Sequence, residues 1–185
     1  MTLSGEISLS GEEQQLLLNI ARNSLTAYAR ERKRLPVEDY PLTPLLQEPC
    51  GAFVTLRKQG ELRGCIGYTR SQYSMAQTVA DNAINAGFHD PRFAPVALNE
   101  LLEISIEISI LLPGEEPGSP FISVHDVQEI VLGRDGLYLE CAGGRGGGLL
   151  LPQVPVEQGW SLDAFLRGLC MKAGVSDGAW RHPQN

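Results

Sequence analysis

The stretch LEISIEISILL, residues 102–112, decides the fold class of this chain. Leucine and isoleucine alternate with glutamate and serine along it, so an extended chain has one apolar face and one polar face. This pattern predicts a β-strand with one buried face, which is typical of an antiparallel sheet. The residues expected on the buried face are Leu102, Ile104, Ile106, Ile108 and Ile110.

Upstream, GAFVTLRKQGELRGCIGY, residues 51–68, predicts a β-hairpin. Two runs of β-forming residues flank Gln59 and Gly60, a pair that permits a tight turn. In the second strand of this hairpin, Leu62 and Ile66 share one face and are the expected core pair.

Downstream, IVLGRDGLYLEC, residues 130–141, predicts a second hairpin with its turn at Asp135–Gly136. The glycine-rich run AGGRGGG, residues 142–148, follows and leads into another extended segment. Because no helix begins there, the run does not have the form of a phosphate-binding loop. It is expected to be a loop, with Arg145 as a candidate for closing over an anionic ligand.

Three stretches with apolar residues at helical spacing predict amphipathic helices. Ser10 and Glu13 form a capping-box signature before the first helix, and Gly174 is expected to end the last. Hairpins separated by helices indicate an α+β fold with a mainly antiparallel sheet, and the 185 residues suit one domain, 1–185. The expected helices cover residues 10–34, 74–88 and 161–174.

The composition argues against several classes of function. A formal charge of -7 disfavours broad contact with nucleic acid or an anionic membrane surface, which requires clustered positive charge. No apolar run approaches the roughly 18 residues of a membrane span, and no signal peptide is recognisable, so a cytoplasmic protein is expected. The cysteines and histidines show no CxxC or HxxH spacing, which predicts reduced thiols, no sequence-local metal site and no cofactor.

A cysteine between two glycines in the first hairpin is the strongest candidate for a chemical role. In an extended chain Arg63 and Cys65 share a face, about 7 Å apart. A nearby guanidinium favours the thiolate, the form of cysteine that is nucleophilic and binds ligands. Gly64 and Gly67 leave room for a substrate to approach the sulfur. The alternative is a small buried cysteine, with Gly64 marking a β-bulge.

The segment DPRF, residues 90–93, supplies further polar candidates. Asp90 precedes a proline, which favours extended backbone and aims the carboxylate away from the preceding helix. It would orient a catalytic base or hold Arg63; the alternative is a turn in which Asp90 and Arg92 form a structural ion pair. His89 would serve as a base for the thiol, or lie exposed at the helix end.

Gln153 lies between two prolines in the apolar segment LLLPQVP. A buried amide needs hydrogen-bond partners. The residue is therefore expected either to contact a substrate or to cross-link the structure.

Five segments together resemble the AMMECR domain family, whose bacterial and archaeal members are called AmmeMemoRadiSam system protein A. They occur in the family's order and approximate spacing over roughly residues 12–182. The resemblance implies a two-lobed α+β fold with a cleft lined by LRGCIG, and a final strand beyond residue 185. It also implies association with a Memo-like protein, similar to metal-dependent ring-opening dioxygenases, and with a radical-SAM protein. The segments are GAFVTLRKQGELRGCIGY, DPRFAPV, GRDGLYLE, LLLPQVPVEQGW and CMKAG.

Two functions are compatible with these residues. The first is an enzyme acting on a small, anionic metabolite, and the second is a non-catalytic module that binds a Memo-like or radical-SAM partner. A nucleic-acid regulator is disfavoured because the chain is acidic and has no basic-aromatic stripe. For the enzyme, the expected catalytic residues are Cys65, Arg63 and Asp90, and the expected substrate-binding residues are Gly64, Gly67, Arg92 and Gln153.

Overall fold

The computed structural model describes residues 8–111, 120–141 and 147–181. The chain divides into two compact units, Met1–Phe121 and Ile122–Asn185. Helices and antiparallel strands confirm the α+β class. The α-helices are α1 Gly11–Glu31, α2 Pro44–Gln47, α3 Met75–Phe88, α4 Gln153–Glu157 and α5 Leu162–Ala173. The strands are β1 Gly51–Lys58, β2 Glu61–Tyr68, β3 Ile104–Leu111, β4 Leu137–Glu140 and β5 Gly147–Leu150.

The first unit contains an antiparallel sheet in the order β2–β1–β3. Strands β1 and β2 form the predicted hairpin, and Gln59 and Gly60 both have positive φ, 54° and 85°. Positive φ at both central residues is the requirement of a type I′ turn. Strand β3 adds to the other side of β1, so β2 is an edge strand.

The core of the first unit lies between one face of this sheet and helices α1 and α3. Alternate residues of β1 are fully buried there, and the isoleucines of β3 pack against them. Leu102 is an exception to the prediction, because the strand begins at Ile104 and Leu102 is fully exposed in the preceding turn. The buried residues include Leu17, Ile20 and Leu25 of α1, Val54 and Leu56 of β1, and Val79 and Ala83 of α3.

A β-bulge in β2 changes which residues face the core. Gly64 pairs with Leu56, but Arg57 pairs with Leu62, so Arg63 is an extra residue in the ladder. The insertion shifts the alternation before it, and Leu62 is 38% exposed instead of packing in the core. The prediction of a core pair is therefore wrong for Leu62, whereas Ile66 does pack against the core.

The second unit has its own small core, between the β4–β5 pair and α5. The predicted hairpin at Asp135–Gly136 is wrong, because β4 pairs with β5. The Asp135 carboxylate instead accepts a hydrogen bond from the Val131 N–H at 2.8 Å, which closes a turn before β4. The buried core residues are Leu137, Leu150, Phe165, Leu166 and Leu169.

The helix ends agree with the sequence signals for the most part. Ser10 and Glu13 form the capping box of α1, Ser161 caps α5, and Gly174 follows α5 in the left-handed conformation at φ 72°. Helix α1 ends at Glu31, earlier than predicted. Within the described ranges no helix is both long enough and apolar enough to cross a membrane.

The cleft lined by LRGCIG, which the family resemblance implies, stays a prediction.

Candidate functional site

Cys65 lies in the middle of the edge strand β2, directly opposite Thr55 of β1. Thr55 alternates with the buried Val54 and Leu56, so this pair lies on the face of the sheet away from the core. The thiol is free and half-buried, and the Thr55 hydroxyl donates a hydrogen bond to its Sγ at 3.3 Å. The sulfur therefore has a polar neighbour and is not enclosed in the apolar core.

Both peptide groups of Cys65 are held by side chains of the segment DPRF. Its N–H donates to Asp90 Oδ2 at 2.9 Å, and its carbonyl oxygen accepts from Arg92 Nη2 at 3.2 Å. In an edge strand the outward-facing peptide groups lack a neighbouring strand. Asp90 and Arg92 take the place of that strand at this residue, and we call this arrangement the residue-65 clamp.

The Asp90 carboxylate is buried and bonded to a guanidinium. Its side chain is 1% exposed, and it accepts hydrogen bonds from Arg92 Nη2 at 2.7 Å and Nε at 2.9 Å. The hydrogen bond from Arg92 holds the pKa of the Asp90 carboxyl well below its usual range, although burial opposes the shift. The same bond raises the pKa of the Arg92 guanidinium. A carboxylate held in this way does not exchange protons near neutral pH, and it contacts Arg92 instead of Arg63.

Arg63 extends toward Glu100, which follows α3 in the chain, and not toward the thiol. Its Nη2 and Nε lie 3.0 Å and 3.2 Å from the two Glu100 carboxylate oxygens, a bidentate pair. The bond from Arg63 lowers the pKa of Glu100 to about 2, with help from the Ala97 N–H. The guanidinium that contacts residue 65 therefore belongs to Arg92, whereas the sequence analysis assigned that place to Arg63.

Gly64 and Gly67 each have a packing reason for lacking a side chain. A Cβ on Gly64 would lie 2.1 Å from the carbonyl oxygen of Ala86 in α3, and a Cβ on Gly67 would lie 2.4 Å from the ring of Phe53. Gly64 thus lets the helix backbone approach the strand, and Gly67 lets an aromatic ring cover it. The predicted role of these glycines in substrate approach stays a prediction.

The remaining candidates lie away from this cluster or outside the described residues. His89 is exposed at the end of α3, where its Nδ1 is 3.0 Å from Asn85 Oδ1. Gln153 is half-buried at the start of α4 in the second unit, in a helix and not in a sheet. Arg145 lies outside the described residues. Among residues 8–111, 120–141 and 147–181 no group of three His, Cys, Asp or Glu side chains could hold a metal ion.

Thr55 and Glu100 are contact partners of Cys65 and Arg63 that were not expected from the sequence. A two-residue turn at Gln59–Gly60 without a bulge would place Val54, and not Thr55, opposite Cys65. The bulge shifts the register by one residue. The alternative interpretation of the sequence placed a bulge at the neighbouring Gly64, but it did not connect that bulge with Thr55. Glu100 lies in a short 3₁₀ helix, Leu98–Glu100, and nothing in its local sequence connected it with Arg63.

These features define an α+β domain in which helices cover one face of an antiparallel sheet and a buried aspartate clamps the edge strand. The profile of the family described as AMMECR1 matches residues 18–185. The chain belongs to this family, which confirms the resemblance seen in LRGCIG and the other segments.

The relatives extend this result to archaeal proteins. A protein of Thermofilum pendens is 39% identical over 186 residues, covering 94% of this chain and 84% of that protein. A protein of Thermococcus gammatolerans is 40% identical, with 95% and 85% covered. The crystal structure of uncharacterized protein PH0010 from Pyrococcus horikoshii matches with a TM-score of 0.78 at 35% identity, covering 93% of this chain and 85% of that one. These likenesses support the family and the fold.

Proposed function

We propose that this chain is an enzyme acting on a small metabolite, with Cys65 as a nucleophile or a ligand-binding thiol. The observation that carries the proposal is the residue-65 clamp. Burying the Asp90 carboxylate costs desolvation energy that only good partners offset. That arrangement fixes the backbone of one residue, as a reactive side chain requires. The thiol then lies on the face of the sheet opposite the core formed with α1 and α3.

Thr55 is the proposed positioning residue for the sulfur. The hydrogen bond from its hydroxyl, at 3.3 Å, fixes the position of the sulfur on the face of the sheet. In the nucleophilic role, the thiol proton passes to water and the sulfur electron pair forms the S–C bond. The displaced group leaves the substrate carbon with the electrons of the broken bond.

Arg92 is the proposed contact for an anionic substrate. Its side chain is 54% exposed although it pairs with Asp90. Its Nη1 donates no hydrogen bond to the part of the chain that the structure describes, so this side of the planar group is available to a carboxylate or phosphate. Arg92 thus keeps the substrate-binding role expected from the sequence, whereas Arg63 pairs with Glu100. The involvement of Gln153 stays a proposal.

Alkylation by iodoacetamide at pH 7, followed residue by residue with mass spectrometry, tests the thiol. We expect Cys65 to react measurably faster than Cys50, and Thr55→Val to slow the reaction of Cys65. Cys50 is an internal control, because burial raises the pKa of its thiol to about 11. A native Cys65 that reacts as slowly as Cys50 would remove the mechanism.

Comparison of cell-extract metabolites after incubation with wild type and with Cys65→Ser tests the enzyme activity itself. The expected result is a metabolite that changes with wild type and not with the variant. Identical profiles, with and without added Memo-like and radical-SAM proteins, would contradict the proposal.

A second candidate is a non-catalytic module for a Memo-like or radical-SAM partner in the cytoplasm. A groove of about 550 Å³ beside α1 favours it, because Leu98 and Leu102 are exposed there next to Arg30. The Arg22 guanidinium in the same lining donates to the carbonyl groups of Leu101 and Ile104. Exposed leucines beside cations suit an acidic, amphipathic segment of a partner. Leu102→Glu should then abolish co-purification with the partner, while Cys65→Ser leaves it intact. Unchanged co-purification of Leu102→Glu would exclude this groove.

A further inference from the structure

The first unit has a pocket of about 430 Å³ between the end of β2 and α3, apart from Cys65. Tyr68, one of its lining residues, pairs with the buried Ala52, whereas Cys65 pairs with Thr55. Since successive residues of β1 alternate in direction, the pocket and the thiol lie on opposite faces of β2. The volume is within the range of small-molecule sites. The lining includes Arg34, Tyr68, Arg70, Tyr73, Asp81 and Asn85.

A chain of hydrogen bonds gives Tyr68 a defined direction. His89 Nδ1 lies 3.0 Å from Asn85 Oδ1, and Asn85 Nδ2 donates to the Tyr68 hydroxyl oxygen at 3.2 Å. In the tautomer of His89 with a proton on Nδ1, His89 donates to Asn85, and Asn85 donates in turn to Tyr68. The Tyr68 oxygen is thus an acceptor for Asn85, and its O–H is left to donate to another group. Successive hydrogen bonds of this kind polarise one another.

Cations and aromatic rings meet at the same pocket. Arg34 forms an ion pair with Asp81 at its wall, and Arg70 lies over the Phe121 ring at 5.7 Å. Tyr68 and Tyr73 are 46% and 65% exposed, which is unusual for side chains of this size. Guanidinium groups and a phenol donor suit an oxyanion, and exposed rings suit a planar group.

We propose that this pocket binds a small planar aromatic molecule carrying a carboxylate or phosphate. The oxyanion accepts from the Tyr68 O–H and from the exposed part of the Arg34 guanidinium, whose Nη1 alone bonds to Asp81 among the described contacts, and the planar part packs against the Tyr73 ring. This site is independent of Cys65, because it lies on the other face of β2 and uses none of the clamp residues.

Calorimetric titration of the full chain with phenyl phosphate and benzoate tests the proposal and distinguishes the two oxyanions. We expect at least one of them to bind with a dissociation constant below about 1 mM. Inorganic phosphate and phenol, which carry one half of the ligand each, should bind at least about tenfold more weakly. Half-ligands that bind as well as the whole would overturn the proposed combination of ring and oxyanion.

Two tyrosine variants provide matched comparisons. Tyr68→Phe keeps the ring and removes the donor, and we expect about tenfold weaker binding, since a hydrogen bond to a charged group is lost. Tyr73→Phe also removes only a hydroxyl, but from a ring that is proposed only to pack against the ligand. Its affinity for the aromatic probe should therefore stay within about twofold of wild type, whereas Tyr73→Ala should bind the probe about tenfold more weakly. Thermal unfolding checks that the variants are folded.

Several results would overturn this site. Failure of both aromatic probes at millimolar concentration would do so, as would wild-type affinity in both Tyr68→Phe and Tyr73→Ala. Cys65→Ser is expected to bind the probe as wild type does. The outcome is therefore separate from that of the cysteine-based proposal.

Discussion

At residue 65 the backbone is bonded to Asp90 and Arg92, whereas the side chain is bonded to Thr55. The sequence indicated the first pair of residues but not Thr55. The sequence placed Cys65 and Asp90 among the expected catalytic residues and Arg92 among the expected substrate-binding residues, and offered an ion pair of Asp90 with Arg92 as an alternative. The structure shows that ion pair and joins both side chains to the backbone of Cys65 by hydrogen bonds. The sequence could not show that Arg63 pairs with Glu100, because a contact between residues 37 positions apart depends on tertiary packing. The glycines were visible as exceptions in a strand, but their packing partners were not.

Gly64→Ala is expected to destabilise the chain by at least about 3 kcal/mol. The added Cβ would meet the Ala86 backbone at 2.1 Å, and a helix backbone does not move aside as a flexible side chain does. Gly11→Ala is the control, because a Cβ there has nothing within 4 Å. Denaturant unfolding of both variants provides the measurement. Equal stability of the two variants would contradict the close approach of α3.

Asp90 and Glu100 should make the stability fall in acid. Both carboxyls have folded pKa values below their ordinary values, so their contribution is fully present above the unfolded pKa, about 4. It is lost as the pH falls through the folded pKa, about 2 for Glu100. The free energy of unfolding, measured by denaturant between pH 6 and pH 2, should therefore decrease.

Glu100→Gln tests the share of this acid dependence that comes from the pair with Arg63. The variant should lose about 1–2 kcal/mol at neutral pH, since breaking a largely buried pair leaves Arg63 without its partner. Its stability should also fall less steeply below pH 5 than that of wild type. Parallel pH profiles for the two proteins would show that the pair contributes nothing.

Among the elements, β3 and the first hairpin could be predicted from alternation and turn chemistry, and the second hairpin could not. Asp135–Gly136 is a favourable turn pair, yet the Asp135 side chain closes a different turn with Val131. The bulge at Arg63 likewise could not be placed from local preferences. One extra residue there changed the register of β2 and exposed Leu62. Local preferences therefore identified the strands better than their pairing.

Gln59→Asn should stabilise the β1–β2 hairpin by about 0.5 kcal/mol. Gln59 has φ 54°, a conformation that asparagine tolerates better than other residues with side chains. The midpoint of thermal unfolding should rise slightly. Gly60→Ala, at φ 85°, should lower it. A lower midpoint for Gln59→Asn would indicate that the Gln59 side chain matters more than its backbone.

For the whole molecule, the α+β class, the family and the positions of α1, α3 and α5 were available from the sequence, whereas the short helices α2 and α4 were not predicted. The division into Met1–Phe121 and Ile122–Asn185 agrees with two separate apolar clusters, which periodicity alone did not delimit. Periodicity shows that a residue is buried but not which other residues surround it.

Phe165→Ala should act mainly on the second unit. The side chain is fully buried in the cluster of β4, β5 and α5, and its removal should cost about 3–5 kcal/mol. Hydrogen exchange followed by mass spectrometry should show loss of protection in α5 and in β4 before α1 and α3. Equal loss in all four elements would show that the chain unfolds as one cooperative unit.

The residue-65 clamp has a consequence for self-association. An uncovered strand border can template the addition of a strand from another molecule, and growth of this kind leads to amyloid-like assemblies. By occupying both peptide groups of Cys65, the carboxylate and the guanidinium interrupt such growth at its centre. The same two side chains that hold the backbone of Cys65 should therefore also oppose the joining of neighbouring copies of this protein through β2.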